Sequence, residues 1–206
     1  SSDLSPLQAA LIAQKHGAHS VTIHLREDRR HIKDSDLKEI KTKLKIPLNL
    51  EIAATEEMLN IALKHKPNFV CIVPEKRKEV TTEGGLNLDY KKSYLKLIIS
   101  KLKKNGSRVS LFIEPKISDV RKAQYLNTDC VEFHTGKICR LINEKKFDKI
   151  KEKLDYFEII NSKRIIVDLD LLFKKDFSNN DIDSKINQLS KLFLNYKLKL
   201  SFLLPS

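Results

Sequence analysis

LNLEIAATEEMLNIALKHKPNFVCIV, residues 48–73, contains two short apolar runs on either side of a longer amphipathic stretch. The runs Leu48–Ile52 and Phe69–Val73 are typical of buried β-strands. The stretch between them begins after Thr55, a residue type favoured at helix N-termini, and ends before Pro67, which cannot continue a helix. The segment therefore predicts a strand–helix–strand unit whose two strands run parallel.

The same alternation recurs along the rest of the chain. Further strand-like runs are Val21–Leu25, Val109–Ile113, Val131–Phe133, Ile165–Leu169 and the terminal Leu198–Leu204. Further helix-like stretches are 6–16, 35–44, 89–105, 118–126, 141–160 and Asp181–Asn195. Continuous apolar strands separated by helices predict an α/β fold with a parallel sheet buried on both faces. A (β/α) barrel and an open doubly wound sheet both fit, although no Gly-x-Gly-x-x-Gly follows any strand.

Composition narrows the class of protein. The 206 residues carry 39 Lys+Arg against 27 Asp+Glu, a net charge of +12, with 41% hydrophobic residues. These values exclude a disordered tail, and no apolar run approaches the roughly 18 residues of a membrane span. The positive charge predicts an anionic partner: a nucleic acid, an acidic membrane surface or a phosphorylated metabolite. Aromatic residues make up only 7%, with no Trp, which disfavours nucleic acid because stacking platforms are scarce.

Three cysteines, Cys71, Cys130 and Cys139, are widely spaced and odd in number. They show no metal-ligand spacing and cannot all form disulfides, so we expect no metal site and a reducing, cytoplasmic location.

Polar residues follow several of the strand-like runs. His24 and Arg26 come at the carboxyl end of the first run, Glu51 near the end of the second, and Glu132 and His134 at the fifth. Catalytic groups from the ends of successive strands are typical of the active face of a barrel, which this pattern favours. Buried carboxylates are costly unless paired, so these positions predict function.

Each of these side chains suits a particular chemical step. His24 is a candidate general acid or base, and Arg26 could hold a phosphate or hydroxyl oxygen. Glu51, in a partly dry site, would have a raised pKa and could abstract a proton; a structural ion pair with Arg26 is the alternative. Residues 27–30 also fit a solvated loop whose charges pair with one another.

The segment Pro74–Leu86 is too polar and too long for a simple connector. Its two hydroxyl residues, Thr81 and Thr82, and its two glycines, Gly84 and Gly85, permit close backbone approach to a phosphate. The spacing is not that of a Walker P-loop. We expect a loop that closes over the barrel rim as a lid.

Six motifs, in order, resemble the pyridoxine 5′-phosphate synthase family. They are His-Leu-Arg-Glu-Asp-Arg-Arg-His at 24–31, Asn-Leu-Glu at 49–51, Val-Pro-Glu-Lys-Arg at 73–77, Glu-Val-Thr-Thr-Glu-Gly-Gly-Leu at 79–86, Val-Ser-Leu-Phe-Ile at 109–113 and Glu-Phe-His-Thr-Gly at 132–136. The resemblance extends from about residue 5 to about residue 140.

The resemblance implies a TIM (β/α)8 barrel that condenses 3-amino-2-oxopropyl phosphate with 1-deoxy-D-xylulose 5-phosphate. The products are pyridoxine 5′-phosphate, inorganic phosphate and water, and the family uses no metal or organic cofactor. By this resemblance the acid–base residues are His24 and Glu51, Glu132 stabilises a transition state, and the deoxyxylulose phosphate is bound by Arg26, His31 and Thr81. The family forms homo-oligomers, octamers or dimers, and no nucleic-acid or membrane partner is implied.

The ends of the chain depart from the family. The first-strand Asn-x-Asp-His motif is absent, and no glycine follows Gly136, so the late Gly-His motifs are absent too. Asp168 and Asp170 lie where one of them is expected. We therefore expect one barrel domain over 1–206 that lacks the first strand and has a divergent last third, shorter than the usual roughly 250 residues. A relic that only binds phosphorylated ligands is the alternative function.

Overall fold

The computed structural model describes the larger part of the chain. The described residues are 5–81, 84–134 and 136, together with the backbone of 164–168 and 199–203. The predicted helices 141–160 and Asp181–Asn195 lie outside them. That the whole chain forms one barrel domain stays a prediction.

Strands and helices alternate through the described residues. The strands are β1 Val21–His24, β2 Leu48–Ile52, β3 Phe69–Ile72, β4 Arg108–Ile113, β5 Cys130–Phe133, β6 Arg164–Asp168 and β7 Lys199–Leu203. The helices are α1 Pro6–Lys15, α2 Asp34–Lys43, α3 Glu56–His65, α4 Lys92–Lys104 and α5 Ile117–Tyr125, with a 3-10 turn at Arg77–Glu79. The predicted strand–helix–strand unit at 48–73 is confirmed, and so are the strands near 165–169 and 198–204.

The first five strands form one parallel sheet in the order β1-β2-β3-β4-β5. Each strand thus pairs with its neighbour in sequence, and one α-helix lies between each pair of consecutive strands. A doubly wound sheet reverses its strand order at a switch point, and this sheet does not. The α/β fold is confirmed, and the sequential order is that of a barrel wall. Strands β6 and β7 pair in parallel in a second sheet.

Two helices begin at residues whose side chains cap them, and Thr55 is the predicted one. Ser5 and Gln8 form a capping box at the start of α1, and the Thr55 hydroxyl accepts a hydrogen bond from the Met58 amide at 3.4 Å. The predicted start of the fourth helix at residue 89 is wrong, because α4 begins only at Lys92. Lys91 has a φ of 50°, a left-handed conformation that a helix cannot include.

The two faces of the sheet differ in chemistry. Leu48, Leu50 and Ile52 of β2 are buried in the apolar core that the helices cover. The alternate residues Asn49 and Glu51 are also buried, but they lie on the opposite face because side chains alternate along a strand. Both faces of β2 are thus buried, as predicted, but only one of them is apolar. The polar face can hold reactive groups while the other face stabilises the fold.

Within the described residues, no helix has the length and apolar character to cross a membrane.

Candidate active site

His24, the last residue of β1, lies between two carboxylates. Its Nδ1 is 3.9 Å from Oε2 of Glu51, the neighbouring residue on β2 in the sheet register. Its Nε2 is 3.1 Å from Oε1 of Glu75, which follows β3. The predicted pair His24 and Glu51 is thus brought together by the parallel register, because the two strands end at the same level.

The environment of His24 favours the neutral ring. Burial lowers the pKa of His24, and the Glu75 carboxylate only partly opposes this effect. The positive charge of Arg26 lowers the pKa further. A neutral imidazole can accept a proton at one nitrogen while it donates at the other, as an acid–base catalyst must.

Glu132 of β5 is held on the same polar face of the sheet. Its Oε1 accepts hydrogen bonds from the Ser110 hydroxyl at 2.7 Å and from the Asn49 amide at 3.3 Å. These donors come from β4 and β2, so the carboxylate of one strand is fixed by two others. Sequence reasoning did not find Ser110, whose position in an apolar strand gives only a weak signal.

Cys71 of β3 is fully buried close to the two strand carboxylates. Burial, together with the negative charges of Glu132 and Glu51, raises the pKa of the Cys71 thiol well above its usual value. The thiol therefore stays protonated at neutral pH and is a poor nucleophile. This polar face is suited to proton transfer, which Glu51, His24 and Glu132 can perform.

The loop between β1 and α2 carries the candidate phosphate-binding residues Arg26 and His31. The Arg26 Nε lies 3.3 Å from Asp28 Oδ1, and His31 is exposed. Arg29 fixes this loop, because its guanidinium donates to the carbonyls of Arg26 and Glu27 at 3.1 and 3.0 Å. Of the ion pairs predicted among residues 27–30, the one between Asp28 and Arg30 is present, with 3.2 Å between Oδ2 and Nη2.

The same Arg29 side chain ties the loop to two helices. Its Nε donates to Asp34 at the start of α2 at 2.7 Å, and it also contacts Glu57 at the start of α3. Arg29 has a φ of 53°, so a left-handed turn directs the side chain back toward both helix starts.

Thr81, the third candidate for phosphate binding, lies at the carboxyl end of β4. Its hydroxyl donates to Oε1 of Glu114 at 3.1 Å, and the Gly85 amide donates to the same oxygen at 2.7 Å. The Leu86 amide also binds the carbonyl of Phe112 at 2.7 Å. The described part of the loop is thus seated on the end of β4.

The two glycines of this loop approach side chains and backbone closely. A Cβ on Gly84, whose φ is +119°, would lie 2.6 Å from Cε1 of His134. A Cβ on Gly85 would lie 2.8 Å from the Glu114 amide nitrogen. Only glycine fits at either position. The neighbours in close approach are His134 and Glu114, and the approach of this loop to a phosphate stays a prediction.

Glu114 and Glu75 are two site residues that the sequence motifs did not single out. Glu114 directly follows β4, and Glu75 follows β3 by three residues. Both therefore satisfy the criterion, a polar residue at the carboxyl end of a strand, that identified Glu51 and Glu132. Among the described residues, no group of His, Cys, Asp and Glu side chains could hold a metal ion.

Comparison with known proteins finds the same family that the six sequence motifs resemble. The family described as "Pyridoxal phosphate biosynthesis protein PdxJ" matches residues 2–171. A relative from Pelagibacter ubique, named pyridoxine 5′-phosphate synthase, is 48% identical over 93% of this chain and 80% of its own length. A relative of the same name from Ehrlichia chaffeensis is 49% identical over 73% of this chain and 63% of its own.

The likeness to one solved structure adds no functional argument. A phosphoribosyl anthranilate isomerase from Thermus thermophilus aligns with 62% of this chain and 82% of its own at 16% identity. Its TM-score is 0.32, so the alignment carries no inference.

Proposed function

Because the chain belongs to the family of the pyridoxal phosphate biosynthesis protein PdxJ, an enzyme family with a TIM-barrel fold, we propose that it acts as a pyridoxine 5′-phosphate synthase. The reaction condenses 3-amino-2-oxopropyl phosphate with 1-deoxy-D-xylulose 5-phosphate and yields pyridoxine 5′-phosphate, inorganic phosphate and water. The observation that carries the proposal is the polar sheet face on which Glu51, His24 and Glu132 come together.

The chemistry requires repeated proton transfer. The amine of one substrate condenses with the ketone of the other to form an imine and release water. A later elimination releases inorganic phosphate, and formation of the carbon–carbon bond that closes the ring is followed by loss of a second water. Each step moves a proton, so carboxylates and an imidazole are needed more than a nucleophile. Glu51 and His24, 3.9 Å apart, can exchange protons with a substrate atom between them. Glu132, fixed by Ser110 and Asn49, would stabilise charge in the transition state.

The remaining roles follow from the family resemblance. Arg26, His31 and Thr81 would bind the deoxyxylulose phosphate, and the loop that carries Thr81 would close over it. Two phosphorylated substrates also account for the net charge of +12. A homo-oligomer in the cytoplasm, without metal or organic cofactor, completes the proposal.

The test replaces Glu51 by glutamine, which keeps the size of the side chain and removes its charge. Both products, inorganic phosphate and pyridoxine 5′-phosphate, are followed after addition of both substrates. We expect Glu51→Gln to lower turnover by at least about 100-fold, the usual contribution of a general acid–base group. Glu39→Gln, on the exposed face of α2, is the matched control and should leave turnover unchanged.

Two outcomes contradict the proposal. If Glu51→Gln keeps most of its activity, with an unchanged far-UV circular dichroism spectrum, Glu51 is not the base. If the folded wild-type chain binds the phosphorylated substrates without turnover, the chain is a binding relic of the family. Isothermal titration calorimetry with 1-deoxy-D-xylulose 5-phosphate distinguishes this second outcome from loss of binding.

A further inference from the structure

We propose that Glu75 is a positioning residue for His24: it holds the imidazole as the Nε2–H tautomer, so that the unprotonated Nδ1 is directed toward Glu51 and the substrate. The inference rests on the proposed function for its kinetic consequence, but the tautomer itself is a property of the protein alone.

Both oxygens of the Glu75 carboxylate are engaged. Oε1 lies 3.1 Å from Nε2 of His24, and Oε2 accepts a hydrogen bond from the Glu27 amide at 3.0 Å. The Glu75 side chain is only 5% exposed. A carboxylate held by two donors in a buried site cannot rotate away, so it fixes the orientation of the ring that it contacts.

The backbone that carries Glu75 is itself fixed. The carboxylate of Glu79 accepts hydrogen bonds from the amides of Glu75 and Lys76 at 3.1 and 3.2 Å. The carbonyl of Glu79 accepts a further hydrogen bond from the amide of Asn87 at 2.7 Å. Glu79 is buried, and the 3-10 turn Arg77–Glu79 starts at this cap. The position of Glu75 therefore does not depend on the bound substrate.

The tautomer of His24 follows from which of its neighbours can donate or accept a hydrogen bond. An ionised carboxylate only accepts hydrogen bonds, so the nitrogen that contacts Glu75 must carry the proton. In the neutral ring, Nδ1 of His24 then has a free lone pair. The 3.9 Å between Nδ1 and Oε2 of Glu51 is too long for a direct hydrogen bond. A substrate amine or hydroxyl placed between them can reach both.

The charges around His24 come from three parts of the chain. Glu51 faces it from β2 and Glu75 from the segment after β3, while Arg26 and Asp28 face it from the loop after β1. Burial lowers the pKa of His24, Glu75 and Asp28 raise it, and Arg26 lowers it. Removal of the Glu75 charge therefore leaves the effects of burial and Arg26 less opposed and shifts the pKa down.

Glu75→Gln is the discriminating substitution. Glutamine offers one acceptor oxygen where the site presents two N–H donors, those of His24 and the Glu27 amide. The side-chain amide of the new glutamine either loses its hydrogen bond with the Glu27 backbone amide or turns its NH₂ group toward the His24 ring. The second arrangement favours the Nδ1–H tautomer. Glu27→Gln is the matched control: it removes a carboxylate from the same region, one that pairs with Lys76 at 3.0 Å, while its backbone amide remains.

The first measurement needs no substrate. Long-range ¹H–¹⁵N NMR correlations of ¹⁵N-histidine-labelled protein report tautomer and pKa, and the His24 signals are those missing from a His24→Gln spectrum. We expect the Nε2–H form in the wild-type chain and in Glu27→Gln. In Glu75→Gln we expect a lower His24 pKa and a larger share of the Nδ1–H form. An Nδ1–H tautomer in the wild-type protein overturns the proposal, even if Glu75→Gln fails to fold.

The second measurement is kinetic. We expect kcat of Glu75→Gln to fall by about 10- to 100-fold, an effect of the size found for the outer partners of metal-bound histidines. KM should change little, and the acidic limb of the kcat–pH profile should move to lower pH. Equal effects of Glu75→Gln and Glu27→Gln contradict the role of Glu75. If the wild-type chain has no turnover, the proposed function fails, whereas the NMR result still decides the tautomer.

Discussion

Glu114 should stabilise the fold in a pH-dependent way through the loop that it anchors. Its carboxylate is 1% exposed and accepts hydrogen bonds from Thr81 and Gly85. Hydrogen bonds to a charged group contribute about 1.5–3 kcal/mol, and neutral ones about 0.5–1.5 kcal/mol. Glu114→Gln keeps the acceptor oxygen and loses the charge. We therefore expect its free energy of unfolding to fall by about 1 kcal/mol per bond, or about 2 kcal/mol at pH 7.

The sign of the pH dependence follows from the pKa of Glu114. Burial alone would raise this pKa, but the neighbouring His134 ring and the donors from Gly85 and Thr81 outweigh burial and lower it. His134 Nδ1 lies 3.4 Å from Oε1, but it makes no well-aligned hydrogen bond. A lowered pKa in the folded state gives stability that is present above the unfolded value of about 4.3 and is lost as pH falls through the folded value.

Urea unfolding followed by far-UV circular dichroism at pH 7 and pH 4 tests both statements. The difference between wild type and Glu114→Gln should shrink on acidification. Asp119→Asn is the control with opposite dependence: burial raises the pKa of Asp119, although Lys122 opposes it, so this variant should lose stability relative to wild type as pH falls. An equal cost of Glu114→Gln at both pH values, or no cost at pH 7, refutes the reasoning.

Two further substitutions test the core and the first loop. Leu50→Ala, at a fully buried position, should lower the free energy of unfolding by about 2–5 kcal/mol in urea titrations. The control Ile12→Ala, at a residue that is 48% exposed, should change this free energy by less than about 0.5 kcal/mol. Equal effects of the two substitutions would contradict the assignment of the core face. In Arg29→Lys, the lysine cannot reproduce the forked contacts of the guanidinium, so Arg26 and His31 should be displaced. We expect a several-fold higher KM for 1-deoxy-D-xylulose 5-phosphate, with kcat nearly unchanged. An unaltered KM would show that the loop does not depend on Arg29.

Local sequence signals sufficed for most elements of the fold. The five strands of the main sheet and the Thr55 cap were predictable because alternation, capping residues and Pro67 act over a few residues. The start of α4 was not, since no glycine marks the left-handed turn at Lys91. A lysine there is held by its surroundings and not by its own preference.

The site was predictable as a list of residues but not as a set of contacts. Polar residues at strand ends indicated His24 and Glu51 because parallel strands end at a common edge. The partner of His24 lies 51 positions away at Glu75, and that of Thr81 lies 33 positions away at Glu114. Such pairs depend on how loops settle on the sheet, which one sequence does not reveal. The roles of Arg26 and His31 remain predictions.

The alternation along β2 has a consequence for the tolerance of this gene to insertions and deletions. One residue added just before the strand would shift its register by one, because side chains alternate with a period of two. Leu50 would then move to the reactive surface, and Glu51 would enter the aliphatic layer beneath the helices, where an unpaired charge is costly. A frame-preserving change of a single codon would thus remove activity and stability together, whereas an insertion in an exposed loop would spare both.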